Sequence, residues 1–277
     1  MAELTWHNAT VAGRAAHYGV GGSGTPVLFL HGWGLSDRSY ARSLLQLASA
    51  GLRVYAPALP GFGGSAELPA NRHSLRGYAD WVAAFADAVG ITGPVTVVGH
   101  SFGGGVAIRT AHDHPDLVER LVLVNSIGGS AWADGRGVLR AIGERPLWDW
   151  GLHLPTDLRG TRELTQVLPV ILRDGIPNLL RNPAAMWRVA GLARTADLTA
   201  ELAELNRRRL PVVIVWSHED NVIPEATLLS LRTGRGDQEV VTVSGGHSWL
   251  IANPDRFGQL ITNVLAVAAA AQDTVVA

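Results

Sequence analysis

Uninterrupted apolar runs recur along this chain, and each stops at glycine, proline or a small polar residue. They are "VLFLHG" (27–32), "LRVYAPALPG" (52–61), "PVTVVGHS" (94–101), "RLVLVNS" (120–126), "LPVVIVWS" (210–217) and "QEVVTVSGG" (238–246). A strand with one wet face alternates apolar and polar side chains. An unbroken Val/Leu/Ile run instead marks a strand covered on both faces, which points to a parallel sheet. Between the runs, "DRSYARSLLQLASA" (37–50), "SLRGYADWVAAFADAVG" (74–90) and "GGGVAIRTAHDHPDLV" (103–118) space their apolar residues three and four apart, as helices with one buried face do. Strand and helix thus alternate, which predicts right-handed βαβ units in a doubly wound α/β sheet. The first 25 residues, rich in Gly and Thr with short alternating patches, predict one antiparallel hairpin.

The alternation lapses between about residues 127 and 209. Prolines at 146, 155, 169, 177 and 183 and tryptophans at 132, 148, 150 and 187 accompany helical patterns there, and strand signals are missing. A segment of roughly 80 residues is too long to be a mere connector in a compact domain. It predicts a helical insertion over the carboxyl edge of the sheet. With no internal repeat and no low-complexity linker, the chain divides into a core of residues 1–126 and 210–277 and a cap of residues 127–209.

Open parallel sheets bind ligands outside the carboxyl ends of their strands. The polar or loop-forming residues at those ends are His31, Pro60, Ser101, Asn125, Asp220 and His247. "GHSFG" (99–103) matches G-x-S-x-G between a strand and a helix, the context that makes this pattern informative. One reading is a nucleophilic Ser101 on a strained turn. Small neighbours would let the following helix pack close, and its N-terminal amides would stabilise developing negative charge. The other reading is a glycine-rich connection with an incidental serine. Two carboxylates, Glu219 and Asp220, follow "VVIVWS", and either could be an ordinary loop acid. The chain has 10 histidines, so position must decide which of them does chemistry.

Composition narrows the partners. The net charge of −1 offers no electrostatic footprint for nucleic acid or an anionic membrane. The 23 basic residues are all arginine, which we read as coding bias. The absence of cysteine excludes a disulfide framework, a thiol nucleophile and Cys-ligated metal sites. "HDH" (112–114) puts two histidines at i and i+2, which diverge on a helix, so a metal site is not expected. "GVGGSG" (19–24) precedes a strand rather than following one and lacks the dinucleotide-binding context. "RRR" (207–209) reads as a solvated face. The first residues show no signal-peptide pattern, and "VLAVAAAA" is too short to span a bilayer, so a cytoplasmic protein without stable membrane insertion is expected.

Taken jointly and in order, "HGWG" (31–34), "LPGFGGS" (59–65), "GHSFGGG" (99–105), "HPDLVERLVLVNS" (114–126), "VVIVWSHEDNVIP" (212–224) and "SGGHSWLIANPDRF" (244–257) resemble the α/β-hydrolase family. The resemblance spans about residues 25–270. It implies a mostly parallel eight-stranded sheet with a helical cap and a serine hydrolase that needs no metal or organic cofactor. By resemblance Ser101 is the nucleophile, Asp220 the orienting acid and His247 the general base, with the backbone N–H groups of Trp33 and Phe102 as the oxyanion hole. Two such donors matter, since losing one typically raises a barrier by ~3 kcal/mol. His31 would serve the loop's structure. Ser217 stands where the family usually has glycine. Asn125 lies where some members carry the acid, and it cannot supply that charge.

The expected substrate is a small or medium apolar carboxylic ester, cleaved through an acyl-enzyme. "HGWGL" and "LPGFGGS" are similar to esterases of pimeloyl-carrier-protein methyl esters. Carbon–carbon bond hydrolases acting on dienone ring-fission products resemble the chain in "GGG" and in an aromatic residue after the histidine. They usually carry asparagine before the serine, whereas His100 is the form common in esterases. A non-catalytic ligand-binding protein of the same fold is the reading from another class. The tryptophans of the cap either line an acyl pocket or form the cap's own core.

Overall fold

The computed structural model describes residues 2–129, 161–233 and 240–276. Eight strands form one sheet: β1 (Leu4–Val11), β2 (Arg14–Gly21), β3 (Thr25–Leu30), β4 (Leu52–Pro57), β5 (Val95–His100), β6 (Val118–Val124), β7 (Val212–Ser217) and β8 (Val240–Val243). Their spatial order is β1-β2-β4-β3-β5-β6-β7-β8. β1, β2 and β4 pair antiparallel, and every pair from β4–β3 to β7–β8 is parallel. The hairpin turns at Ala12 and Gly13, both with positive φ (48° and 77°), the twist that a two-residue connection needs.

Helices cover both faces, as the unbroken apolar runs require. On one side lie α1 (Ala41–Ser49) and α10 (Pro254–Val276); on the other α2 (Leu75–Ala88), α3 (Phe102–Asp113) and α7 (Thr199–Arg207). Successive β3 residues show the division. Val27 and Phe29 pack with Leu44, Leu47, Phe257 and Ile261, while Leu28 and Leu30 pack with Tyr78, Phe85 and Val106. Ser74 caps α2 by accepting from the Gly77 N–H at 3.0 Å. The helix expected to reach residue 118 ends at Asp113. Pro115 disfavours helical backbone at His114, which frees Val118 to start β6 two residues earlier than expected.

Between β6 and β7 the described chain is helical: α4 (Thr161–Val170), a π-helical turn (Ile171–Gly175), α5 (Ile176–Arg181), α6 (Pro183–Thr195) and then α7. The π turn lies just before Pro177, which has no N–H to donate to a preceding carbonyl. Gly128 and Asp197 meet in an isolated parallel bridge, and Leu198 N donates to Gly128 O at 2.9 Å. The segment therefore leaves and re-enters the sheet at one neck. This is the cap insertion. Trp132, Trp148 and Trp150 lie outside the described residues, and Trp187 is half exposed. Two short helices complete the fold, α8 (Glu225–Thr233) and α9 (Trp249–Ala252).

Candidate active site

The chain moves from β3 to β4 on one side of the sheet and returns to β5 on the other, so the strand order reverses at β3 and β5. Ligand crevices form at such a reversal. Ser101 alone separates β5 from α3, with φ 53° and ψ −118°. For a residue with a Cβ this costs of order 1–3 kcal/mol and persists only where neighbours enforce it. They do. Ser101 N donates to Val124 O at 3.0 Å, and Ser101 O accepts from Gly104 N (3.0 Å) and Ile127 N (3.2 Å). Close approach explains the glycines: a Cβ on Gly99 would lie 2.5 Å from Gly103 O, and one on Gly103 would lie 2.2 Å from Leu30 O. Phe102 opens α3, so its N–H has no partner within the helix.

The Asp220 side chain is fully buried beyond the end of β7. Its Oδ1 accepts from Val222 N (2.8 Å) and Ile223 N (2.9 Å). Its Oδ2 accepts from the Asn125 amide and from His247 Nδ1, the latter at 2.8 Å. Burial pushes the carboxyl up, but His247, Ile223 N–H and Asn125 outweigh it, and Asp220 stays below the usual carboxylate range. An ionised carboxylate only accepts, so His247 Nδ1 carries the proton and Nε2 is left as the acceptor nitrogen. Glu219 is exposed and lies 3.3 Å from His218. The structure therefore brings Asp220, and not Glu219, to His247.

Asn125, which cannot act as the acid, and Ser217, a departure from the family pattern, hold this arrangement. Asn125 (φ 43°) donates to Asp220 and accepts from Trp249 Nε1 at 3.0 Å. Ser217, at the place where glycine is usual, donates to Gly245 O and accepts from Glu219 N at 3.3 Å, tying β7 to the His247 loop.

His31 is buried. Leu59 N donates to its Nε2, so Nδ1–H donates to Gly32 O, both at 2.8 Å. Burial lowers its pKa to about 4, so it is neutral and joins the 31–34 loop to the 58–65 loop. His100 is neutral too, lowered by burial to about 3. Its Nε2 lies 3.1 Å from His247 O, a carbonyl, so that nitrogen donates. Nδ1 must then accept from Tyr40 Oη at 2.9 Å, and Tyr40 Oη accepts from Gly32 N at 3.2 Å. A buried chain of hydrogen bonds thus runs beneath Ser101 from Gly32 to the backbone of His247. Sequence reasoning missed Tyr40, because a tyrosine inside a helical pattern carries no spacing signal for such a link.

Ser101, His247, Gly32 and Trp33 line one cavity of about 240 Å³. Most of its remaining wall is apolar, including Leu35, Ile171, Ile176, Leu179, Met186 and Val222, and no acidic residue, lysine or arginine is among its described lining. Gly32 is close enough that a Cβ there would lie 3.3 Å from the Ser101 Cβ. A larger open depression of about 1030 Å³ beside the β1–β2 hairpin includes none of the strand-end candidates. His112 and His114 each pair with a carboxylate, Asp113 and Asp80. Among the described residues no group of three or more His, Asp or Glu side chains could hold a metal, and no helix is long and apolar enough to cross a membrane.

A strained serine elbow at a topological reversal, on an eight-stranded sheet with a cap, defines the α/β-hydrolase class. The profile of the alpha/beta hydrolase family matches residues 27–260, and the chain belongs to that family. It is 29% identical over 257 residues to the 2-hydroxymuconate semialdehyde hydrolase of Pseudomonas putida, covering 89% of each chain. A thermophilic esterase from Thermogutta terrifontis superposes with TM-score 0.72 at 22% identity, over 95% of this chain and 98% of that one. A meta-cleavage product hydrolase from Pseudomonas fluorescens IP01 gives the same TM-score, identity and coverage. At that identity the two structures share the fold.

Proposed function

We propose that the protein is a serine esterase with Ser101 as nucleophile, His247 as acid and base, and Asp220 as its orienting partner. The observation that carries this reading is one small, largely apolar cavity holding Ser101 together with a histidine whose Nδ1 is bonded to a buried carboxylate. His247 Nε2 takes the Ser101 proton as Oγ bonds to the ester carbonyl carbon. The backbone N–H groups of Trp33 and Phe102 stabilise the oxyanion. Collapse expels the alcohol, which leaves with the proton from His247 and gives an acyl-enzyme. Water then enters, deprotonated by His247, and releases the acid and the serine hydroxyl. No residue in this scheme needs a metal or organic cofactor. We take residues 1–126 and 210–277 as the core and 127–209 as the inserted segment, its part before the neck at Asp197 forming the cap and α7 packing on the sheet, and we place the protein in the cytoplasm.

The lining favours a neutral, small or medium acyl group. Its described residues supply no guanidinium for the carboxylate of a ring-fission product. The relatives named as semialdehyde and meta-cleavage product hydrolases make carbon–carbon cleavage the second reading. A fluorophosphonate probe tests the first claim, with labelling of the wild type and none of Ser101→Ala expected. A panel of p-nitrophenyl esters of increasing acyl length, run beside a dienone ring-fission product, tests the second. Turnover of the dienone alone overturns the esterase reading, and an unlabelled wild type returns the chain to the class of non-catalytic binders.

A further inference from the structure

The loop after β3 is tied to the cap through Trp33, Gly34, Ser36 and Ser39. The Trp33 indole N–H donates to Met186 O at 2.8 Å. Gly34 O accepts from Asn178 Nδ2 at 3.2 Å. Asp174 Oδ2 accepts from Ser36 N (2.7 Å), from Ser36 Oγ (2.8 Å) and from Ser39 Oγ. Asn178 also accepts from Gly63 N at 3.0 Å, so one buried side chain joins two core loops. Asp174 and Asn178 lie four residues apart on one face of the segment. Ile171, Gly175, Ile176 and Leu179, on the adjacent face, line the cavity. One stretch of cap therefore both walls the site and grips the loop that carries the Trp33 amide.

We propose that Asp174 and Asn178 are positioning residues for the Trp33 N–H: seated on Ser36, Ser39 and Gly34, they hold the β3 side of the oxyanion site in place. The role assigned to that amide rests on the serine-esterase reading. The 32–36 stretch contains no helix or strand, and its Gly34 has φ 80°. The 3-10 turn Asp37–Tyr40 and the bond from Gly32 N to Tyr40 Oη anchor its two ends, and between them the donors and acceptors of the cap hold the backbone path. An amide displaced by a fraction of an ångström from the developing oxyanion loses most of its effect.

The test measures acylation by p-nitrophenyl butyrate in single turnover, with binding of a trifluoromethyl ketone as an oxyanion mimic. Asp174→Ala and Asn178→Ala are expected to slow acylation about tenfold or more and to weaken the ketone equally, with KM changed less than twofold. Asp174→Asn keeps an accepting oxygen and is expected to recover most of the rate. Asn178→Asp keeps the acceptor for Gly63 but loses the donor to Gly34, so it should behave like Asn178→Ala. Glu67→Gln is the control. Glu67 fastens the cap elsewhere, through Asn182 and Arg188, without touching the 32–39 loop, so this variant should acylate at the wild-type rate. Should Asp174→Ala fail to fold, Asn178→Asp still decides. Unimpaired acylation in Asn178→Asp, or an equal loss in Glu67→Gln, overturns the clamp. A wild type that takes no fluorophosphonate label overturns the esterase reading and the clamp together.

Discussion

The two sides of Ser101 are built differently. On the acid–base side the described supports of Asp220 and His247 come from the core: Asn125 after β6, Trp249 on α9, the Val222 and Ile223 amides, and the Ser217–Gly245 link. On the oxyanion side, the loop carrying Trp33 reaches out to Met186, Asn178 and Asp174 of the insertion. On the proposed assignment, the described contacts of the acid–base half stay within the core, whereas the oxyanion half also draws on the cap. On that assignment, a change in the cap should alter the shape of the site and the placement of one donor more than it alters the Asp220–His247 pair.

The sharpest break of that comparison is Asp220→Asn. An amide there presents N–H to His247 Nδ1 and favours the tautomer with the proton on Nε2, which cannot act as base. In a comparable serine triad this exchange costs ~10⁴ in kcat, and a similar fall is expected here in p-nitrophenyl butyrate hydrolysis. A fall of less than tenfold would detach Asp220 from the acid–base role.

The two sides should also respond to pH in opposite senses. Asp37, on the cap-bound side, is buried, and desolvation raises its pKa from 3.8 to about 7. The folded chain keeps a proton that the unfolded chain releases, so its stabilising contribution is full below about pH 4. It is lost as pH rises toward 7 and beyond. Asp220 is shifted downward, so its contribution is held above its ordinary range and lost only as pH falls below it. Asp37→Asn should therefore raise stability at pH 8 relative to pH 5 by about 2–3 kcal/mol against the wild type, from linkage over that interval. Comparing variant with wild type cancels the acid-side contributions of buried His31 and His100. Denaturant titration at the two pH values checks the sign, and a gain at pH 5 instead would reverse the assignment.

Asn125→Ala probes the self-contained side. It leaves the Trp249 indole N–H buried without its acceptor and takes one donor from Asp220. A buried polar group left unpaired costs about 1–3 kcal/mol, and in a chain of this size each kcal/mol lowers Tm by about 2–4 °C. Calorimetry should show that loss alongside a fall of about tenfold in kcat, with the response to Asp174 and Asn178 substitutions unchanged.

How much of this was legible in the sequence follows the same division. The six strands and the serine elbow could be read because sterics dictate them: no side chain fits at Gly99 or Gly103, and a doubly covered strand admits no polar face. Asp220 and His247 were candidates by their place after strand ends, and the family resemblance preferred them to Glu219 and the other histidines. Asn125 was visible only as a missing acid, since sequence position gives the residue type but not the direction in which its amide points. Asp174 and Asn178 were not legible. They are ordinary polar residues in a helical stretch, and what they touch lies 138 and 144 positions earlier in the chain. Contacts across that distance follow from how the cap seats on the core, which no local spacing records.

The smallest expected effect on acylation belongs to a core link between the sides. Tyr40 Oη accepts from Gly32 N and donates to His100 Nδ1, and His100 Nε2–H donates to His247 O. Tyr40→Phe keeps the packing against Phe29 but leaves the buried Gly32 N–H and His100 Nδ1 without these partners. With two buried groups unpaired at about 1–3 kcal/mol each, the folded state should lose about 2–6 kcal/mol. If the cap is what holds the Trp33 amide, acylation should slow only about two- to threefold, because Asp174 and Asn178 still grip the loop beyond Gly32. Combining Tyr40→Phe with Asn178→Ala should then cost more in acylation than the two single losses multiplied, since each support masks the loss of the other. Single-turnover acylation of the four proteins gives the comparison directly. A loss in Tyr40→Phe alone larger than that in Asn178→Ala would move the principal support of the oxyanion side from the cap to the core.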